Sequence, residues 1–169
     1  KLARVRFAST PATRISSGDQ TANLERVLAF VCAALAAEQV GGAQKCLEMA
    51  TEYAKSRLQF GRPIGSYQAI KHKCAEMLVS VEMAKSAATN ALFTAAANES
   101  DFVEAAALAK AYCSETYFHA AADNIQIHGG MGFTWEAAPH LYFKRAKSSE
   151  LLFGDAAHHR EELAKHVGL

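Results

Sequence analysis

Residues 21–58 read TANLERVLAFVCAALAAEQVGGAQKCLEMATEYAKSRL, and the fold turns on them. Leu24, Leu28, Val31, Leu35, Glu38, Gly42, Cys46, Met49 and Tyr53 recur at steps of three and four. At 3.6 residues per turn they form one continuous face through about eight turns. The pattern predicts a helix that starts near Thr21 or Ala22, with Asp19 and Thr21 as acceptors for its free amides. It is expected to reach about Leu58, where Gly61, Pro63 and Gly65 break it.

Working outward, Tyr67, Ile70, Cys74, Met77, Val81, Ala84, Ala88 and Leu92 mark the buried stripe of a second helix, with Ser66 as its expected cap. Asp101 and Glu104 have the spacing of a capping box for a third helix, which runs through Leu108, Tyr112 and Ala120 toward Gln126. Thr134 is the expected cap of a shorter fourth helix, with Pro139 near its first turn, and Asp155 that of a last one. Several amphipathic helices with short loops imply an all-α fold, an antiparallel four-helix bundle with short extra helices at the C-terminus and no sheet in the core. Upstream, Val5 and Phe7 alternate with Arg4 and Arg6, so residues 1–20 read as a stray strand or tail followed by a linker. The chain begins at Lys1, not Met, and is expected to be part of a longer one.

Composition narrows the function classes. Half of the 169 residues are hydrophobic and 21% are charged, which supports a core and argues against disorder. The 35 alanines favour helix, because alanine loses no side-chain entropy there. A net charge of +1 gives no electrostatic case for a nucleic-acid or membrane-surface partner. The uncharged run from Val27 to Ala37 is too short to span a bilayer. Cys32, Cys46, Cys74 and Cys113 are far apart with no CxxC pair, so reduced thiols in a cytoplasmic protein are expected.

Four groups of residues have chemistry to offer. His159, Glu162 and His166 share a face of the last helix, as metal ligands can, or belong to a solvated terminal helix; no metal is expected. Glu38 interrupts an apolar stripe. Burial would raise its pKa and make it a base; pairing with a basic residue on another helix would make it structural. Asp155 is either a spare carboxylate or a helix N-cap. Gly129-Gly130-Met131-Gly132 is either a helix stop or a place where backbone approaches a ligand closely.

Two longer motifs go further. Tyr53-Ala54-Lys55-Ser56-Arg57-Leu58-Gln59-Phe60-Gly61-Arg62-Pro63-Ile64 runs into Tyr67-Gln68-Ala69-Ile70. Ile125-Gln126-Ile127-His128-Gly129-Gly130-Met131-Gly132-Phe133-Thr134 follows at a distance, and then Leu141-Tyr142-Phe143-Lys144-Arg145-Ala146-Lys147. From Leu24 to its end the sequence strongly resembles the C-terminal helical domain of flavin-dependent acyl-CoA dehydrogenases. The resemblance implies that residues 1–20 are the tail of a preceding β-domain and that residues 21–169 are the C-terminal helical-bundle domain. It implies FAD bound across a subunit interface of a tetramer, an acyl-CoA substrate dehydrogenated between its α- and β-carbons, and an electron-transfer flavoprotein as electron acceptor. It also implies that Arg57 meets the FAD pyrophosphate of a neighbouring subunit, that Phe60 and Gln68 lie near the cofactor, and that Gln126, Gly129 and Gly130 lie against its adenosine diphosphate part.

The pattern departs from the family at the catalytic base. The usual Tyr-Glu-Gly-Thr motif is matched by Leu152-Phe153-Gly154-Asp155, which puts Phe153 where the carboxylate belongs. The minority position on the first helix falls at Val31; a rival alignment through Leu24-Glu25-Arg26 needs an insertion. Glu38, two turns beyond Val31, and Asp155 are the carboxylates left in this region. Three readings follow: the C-terminal domain of a dehydrogenase, whose fragment alone is inactive; a non-catalytic subunit of a hetero-oligomeric dehydrogenase; or a helical interaction module without flavin.

Overall fold

The computed structural model describes residues 3–169; Lys1 and Leu2 lie outside the described residues. Residues 3–20 carry no strand and are exposed throughout, so the alternation around Val5 and Phe7 forms no β-structure. Five α-helices follow: α1 (Thr21–Ser56), α2 (Gln68–Ala97), α3 (Phe102–His128), α4 (Pro139–Leu151) and α5 (Ala156–His166). A hairpin of two-residue strands, β1 (Leu58–Gln59) and β2 (Arg62–Pro63), lies exposed between α1 and α2.

The long helices run up, down and up. Ala29, Ala33 and Ala36 from the first half of α1 pack with Ala84, Ala88 and Ala91 from the second half of α2, and with Phe102, Ala105, Ala106 and Ala109 from the start of α3. At the other end Ala43, Cys46, Leu47 and Ala50 meet Met77, Val81, Tyr117, Ala121 and Ala146 of α4. The bundle is thus antiparallel, with α3 at its centre and α4 and α5 laid against it. Alanine dominates the contacts, so helix backbones approach closely. Gly42 shows how closely: a Cβ there would sit 2.7 Å from the Tyr117 hydroxyl and overlap its ring.

The buried stripe of α1 keeps Leu35 and Cys46 of the expected one and differs elsewhere. Leu24, Leu28 and Glu38 face out, while Ala29, Cys32, Ala33, Ala36, Gln39 and Ala43 face in. The stripe of α2 holds from Met77 to Ala88, but Leu92 is exposed and Ala91 is buried. By length and composition alone α1 is apolar enough to cross a membrane, which the uncharged-run argument did not anticipate. Ala29, Ala33, Ala36, Ala43, Cys46 and Ala50 of this helix are packed against α2 and α3.

Helix ends are capped less often by side chains than expected. Ser66 sits in a short 3₁₀ turn, and Tyr67 precedes α2 without a side-chain cap. Asp101 precedes α3 but accepts no capping bond. Thr134 turns its hydroxyl to the Met131 carbonyl (2.9 Å), and α4 starts five residues later with Pro139 in its first turn, where a missing amide costs nothing. Asp19 accepts from the Thr21 amide at 2.9 Å, and Asp155 caps α5 through the His158 amide at 2.9 Å. The first helix ends at Ser56, because Arg57 is already extended.

Candidate functional site

Arg57 leaves α1 and enters the hairpin, whose turn places Phe60 (φ 52°) and Gly61 (φ 77°) in left-handed conformations. Two consecutive positive φ values suit the twist of a two-residue hairpin. The hairpin is tied back by Ile64 N–H to Arg57 O (2.8 Å) and Tyr67 Oη to Gln59 O (3.2 Å). Across from it, α3 ends at Gly129 with φ 61°, a conformation that a side chain would strain. Between the two ends lies a cavity of about 480 Å³ lined by Tyr53, Arg57, Gln59, His128, Gly129 and Gly130, among others.

Three of the expected cofactor residues, Arg57, Gly129 and Gly130, therefore converge. The guanidinium of Arg57 makes no ion pair or hydrogen bond among the described residues. A Cβ at Gly129 or Gly130 would meet nothing within 4 Å, so the backbone there is open to a ligand. Phe60, 92% exposed, sits at the hairpin tip beside this cavity rather than in its wall. Gln68 at the start of α2 and Gln126 on α3 are exposed and also outside the lining. Sequence reasoning passed over the pair that walls one side: the ring of His128 stacks on Tyr53 at 4.2 Å and its Nδ1 is 2.8 Å from the Asn124 carbonyl, which fixes the proton on that nitrogen. A free guanidinium, open glycine backbone and a flat aromatic wall form a donor set suited to a dinucleotide.

A second cavity, about 340 Å³, opens between α1, α3 and α5. Leu28, Ala29, Cys32, Val103, Ala107 and Phe153 supply its apolar wall, with Glu25, His158, Glu162, Lys165 and His166 among its polar residues. Phe153 has φ 59°, and its carbonyl accepts from His159 Nε2 at 3.0 Å. That bond turns His159 inward. Burial, and then the Lys110 charge, hold its imidazole below the usual histidine range. Glu162 is held by Lys165 at 2.7 Å and His166 by Glu104 at 3.3 Å. The His159, Glu162 and His166 trio thus faces three different partners, and among the described residues no group of three has metal-binding spacing.

The carboxylates resolve clearly. Glu38 is 48% exposed and bound by Arg145 of α4, which holds its carboxyl below the usual range; this reverses the raised pKa expected from burial. Leu35 and Cys46 of that stripe do face inward, but Glu38 turns outward between them. Asp155 is likewise lowered, first by the His158 amide it caps. Cys32, Cys46, Cys74 and Cys113 are all free thiols, and burial pushes Cys46 and Cys113 up to about 12.

The long helices thus form an antiparallel bundle with an open cavity between the end of α1 and the end of α3. The family model for the acyl-CoA dehydrogenase C-terminal domain matches residues 21–168, and the chain belongs to that family. It is 48% identical over 118 residues to acyl-CoA dehydrogenase IpdE2 of Mycobacterium tuberculosis, a match that spans 70% of this chain and 35% of the relative. Among solved structures, butyryl-CoA dehydrogenase from Megasphaera elsdenii superposes with a TM-score of 0.83 at 26% identity, over 88% of this chain and 39% of that one. The Tcur3481-Tcur3483 steroid ACAD does so with a TM-score of 0.83 at 30% identity, over 87% and 40%. The chain spans about a third of the curated relative and two fifths of each solved chain.

Proposed function

We propose that this chain is the C-terminal domain of an FAD-dependent acyl-CoA dehydrogenase that introduces a double bond between the α- and β-carbons of an acyl-CoA thioester. The cavity that gathers Arg57, Gly129 and Gly130 carries the reading. Arg57 would pair with the pyrophosphate through two guanidinium bonds, Gly129 and Gly130 would let the adenosine diphosphate part lie against bare backbone, and Phe60, Gln68 and Gln126 would complete the surroundings once subunits assemble. When bound, FAD supplies the two-electron acceptor. The cavity walled by Phe153 is this domain's share of the acyl site, and reduced thiols suit a cytoplasmic protein that passes electrons to an electron-transfer flavoprotein.

None of Phe153, Glu38 and Asp155 is placed to accept the proton. Phe153 has no acid–base group, Glu38 is occupied by Arg145, and Asp155 by the start of α5. A second reading follows: the chain is part of a subunit that completes an FAD site in a hetero-oligomer while its partner supplies the base. The two designations of the Tcur3481-Tcur3483 structure favour it. The test is to purify the full-length protein alone and with a paralogous subunit, then measure bound flavin and its bleaching by acyl-CoA. Flavin and bleaching in the protein alone support the first reading, and bleaching only in the mixed complex supports the second. A colourless protein in both cases overturns both.

A further inference from the structure

Lys110 lies in the first third of α3 between Ala109 and Ala111 and is completely buried. It has no carboxylate partner among the described residues. An ammonium in such a place is unfavourable unless every donor is used. All three are used: Nζ donates to Ser114 Oγ at 3.0 Å, to the Glu150 carbonyl at 3.0 Å and to the Gly154 carbonyl at 2.9 Å. Ser114 is joined in turn to the buried Gln39 of α1, whose Nε2 also donates to Ser149 Oγ at 3.2 Å. One polar chain thus links α1, α3 and α4 through an otherwise alanine-rich interior.

Two of the three acceptors flank the end of α4. No backbone amide closes the last turn of α4 at Leu152. The final carbonyls of a helix need donors, and its negative end favours a cation. Lys110 meets both needs from a neighbouring helix. The same ammonium then holds Gly154, the residue after Phe153. On its other side the loop has no slack: Gly154 has φ 99°, a Cβ there would overlap the His158 ring, and His159 ties the Phe153 carbonyl.

We propose that Lys110 is a positioning residue for the acyl pocket, a buried ammonium that caps α4 from α3 and so fixes where Phe153 closes the cavity between α1, α3 and α5. The proposal rests on assigning that cavity to the acyl thioester.

The test uses the full-length flavoprotein, with any partner subunit it needs, carrying Lys110→Met. Hydrogen exchange of amides 151–158 should rise about tenfold or more over the parent, with the α1–α3 seam around Ala43 to Ala50 unchanged. Flavin content should stay at the parent level, and KM for acyl-CoA should rise about tenfold while kcat changes by no more than about threefold. Lys110→Gln, which keeps a neutral donor on a shorter stem, gives a milder version of the same pattern and serves where Lys110→Met does not fold. Exchange that rises equally through the whole bundle would make Lys110 a general core residue and overturn the proposal. So would a loop that stays protected. A loosened loop with KM unchanged overturns the link to the acyl pocket. A parent that holds no flavin and turns over no acyl-CoA overturns the underlying functional reading, and the exchange pattern separates that failure from this one.

Discussion

Arg145 grips Glu38 with both ends of its guanidinium: Nε donates to Oε1 at 2.6 Å and Nη2 to Oε2 at 2.7 Å. The pair joins α1 to α4 at the bundle surface, with each side chain about half exposed. A carboxylate in that grip is a strap between helices. Exposed pairs contribute about 0.2–1 kcal/mol, and the paired geometry puts this one toward the upper end. Glu38→Gln should therefore lower stability by no more than about 1 kcal/mol in urea unfolding. In the full-length protein the rate of flavin reduction by substrate should stay within about threefold of the parent, because a carboxylate paired with Arg145 is a weak base and lies outside the cavity walled by Phe153. A hundredfold loss would restore Glu38 to the chemistry.

Arg57→Ala should strip flavin without loosening the fold. Losing a charge-assisted phosphate contact costs roughly 1.5–3 kcal/mol, or about ten- to a hundredfold in affinity. An exposed arginine with no partner contributes little to stability. Flavin absorbance per protein after gel filtration, beside a thermal melt of the apoprotein, separates the two effects. Equal flavin content in mutant and parent would remove Arg57 from the site.

Gly41 and Gly42 are neighbours in sequence with opposite prospects. A Cβ at Gly41 meets nothing within 4 Å, so Gly41→Ala should stabilise by about 0.5–1 kcal/mol through helix propensity. At Gly42 the same methyl runs into the Tyr117 ring, and overpacking of this kind costs about 1–3 kcal/mol. Gly42→Ala should be the less stable of the two in denaturant titration. The reverse order would mean that α1 and α3 are farther apart than described.

His159 should make the fold acid-sensitive. Its folded-state pKa is lowered, chiefly by burial and then by the Lys110 charge, so below the ordinary value near 6.5 the unfolded chain binds the proton more readily. Stability is full above that value and falls as pH drops below it, down to the depressed folded-state pKa. His159→Gln should flatten the slope below about pH 6.5. Unfolding midpoints across that range would show it, and identical slopes in both proteins would deny His159 this role.

Much of the fold was legible because long apolar periods survive any small error in register. Met77, Val81, Ala84 and Ala88 were read correctly as the inner face of α2. On α1 the expected stripe holds at Leu35 and Cys46, but its start follows Leu24 and Leu28, whereas the contact there belongs to Ala29, Ala33 and Ala36. Hydrophobicity does not separate an inward alanine from an outward one; the approach of a partner helix does. Ser66 and Thr134 have the right chemistry for caps, yet the helices start after them; Asp101 holds the cap position of α3 without making the bond. Arg57, Gly129 and Gly130 are singled out by two contiguous motifs, and the fold brings them to one cavity. Lys110 was passed over because its partners Glu150 and Gly154 are 40 and 44 residues away. A lysine set among Ala107, Ala109 and Ala111 was the signal available.

The narrow seams between the long helices leave the bulk of the apolar material on the outside. Val27, Leu78, Val79, Met83 and Phe93 are each about half exposed or more, on α1 and α2. Large exposed apolar patches mark surfaces meant to be covered. A polypeptide of these residues is therefore an adhesive object in water, expected to cling to itself as its concentration rises.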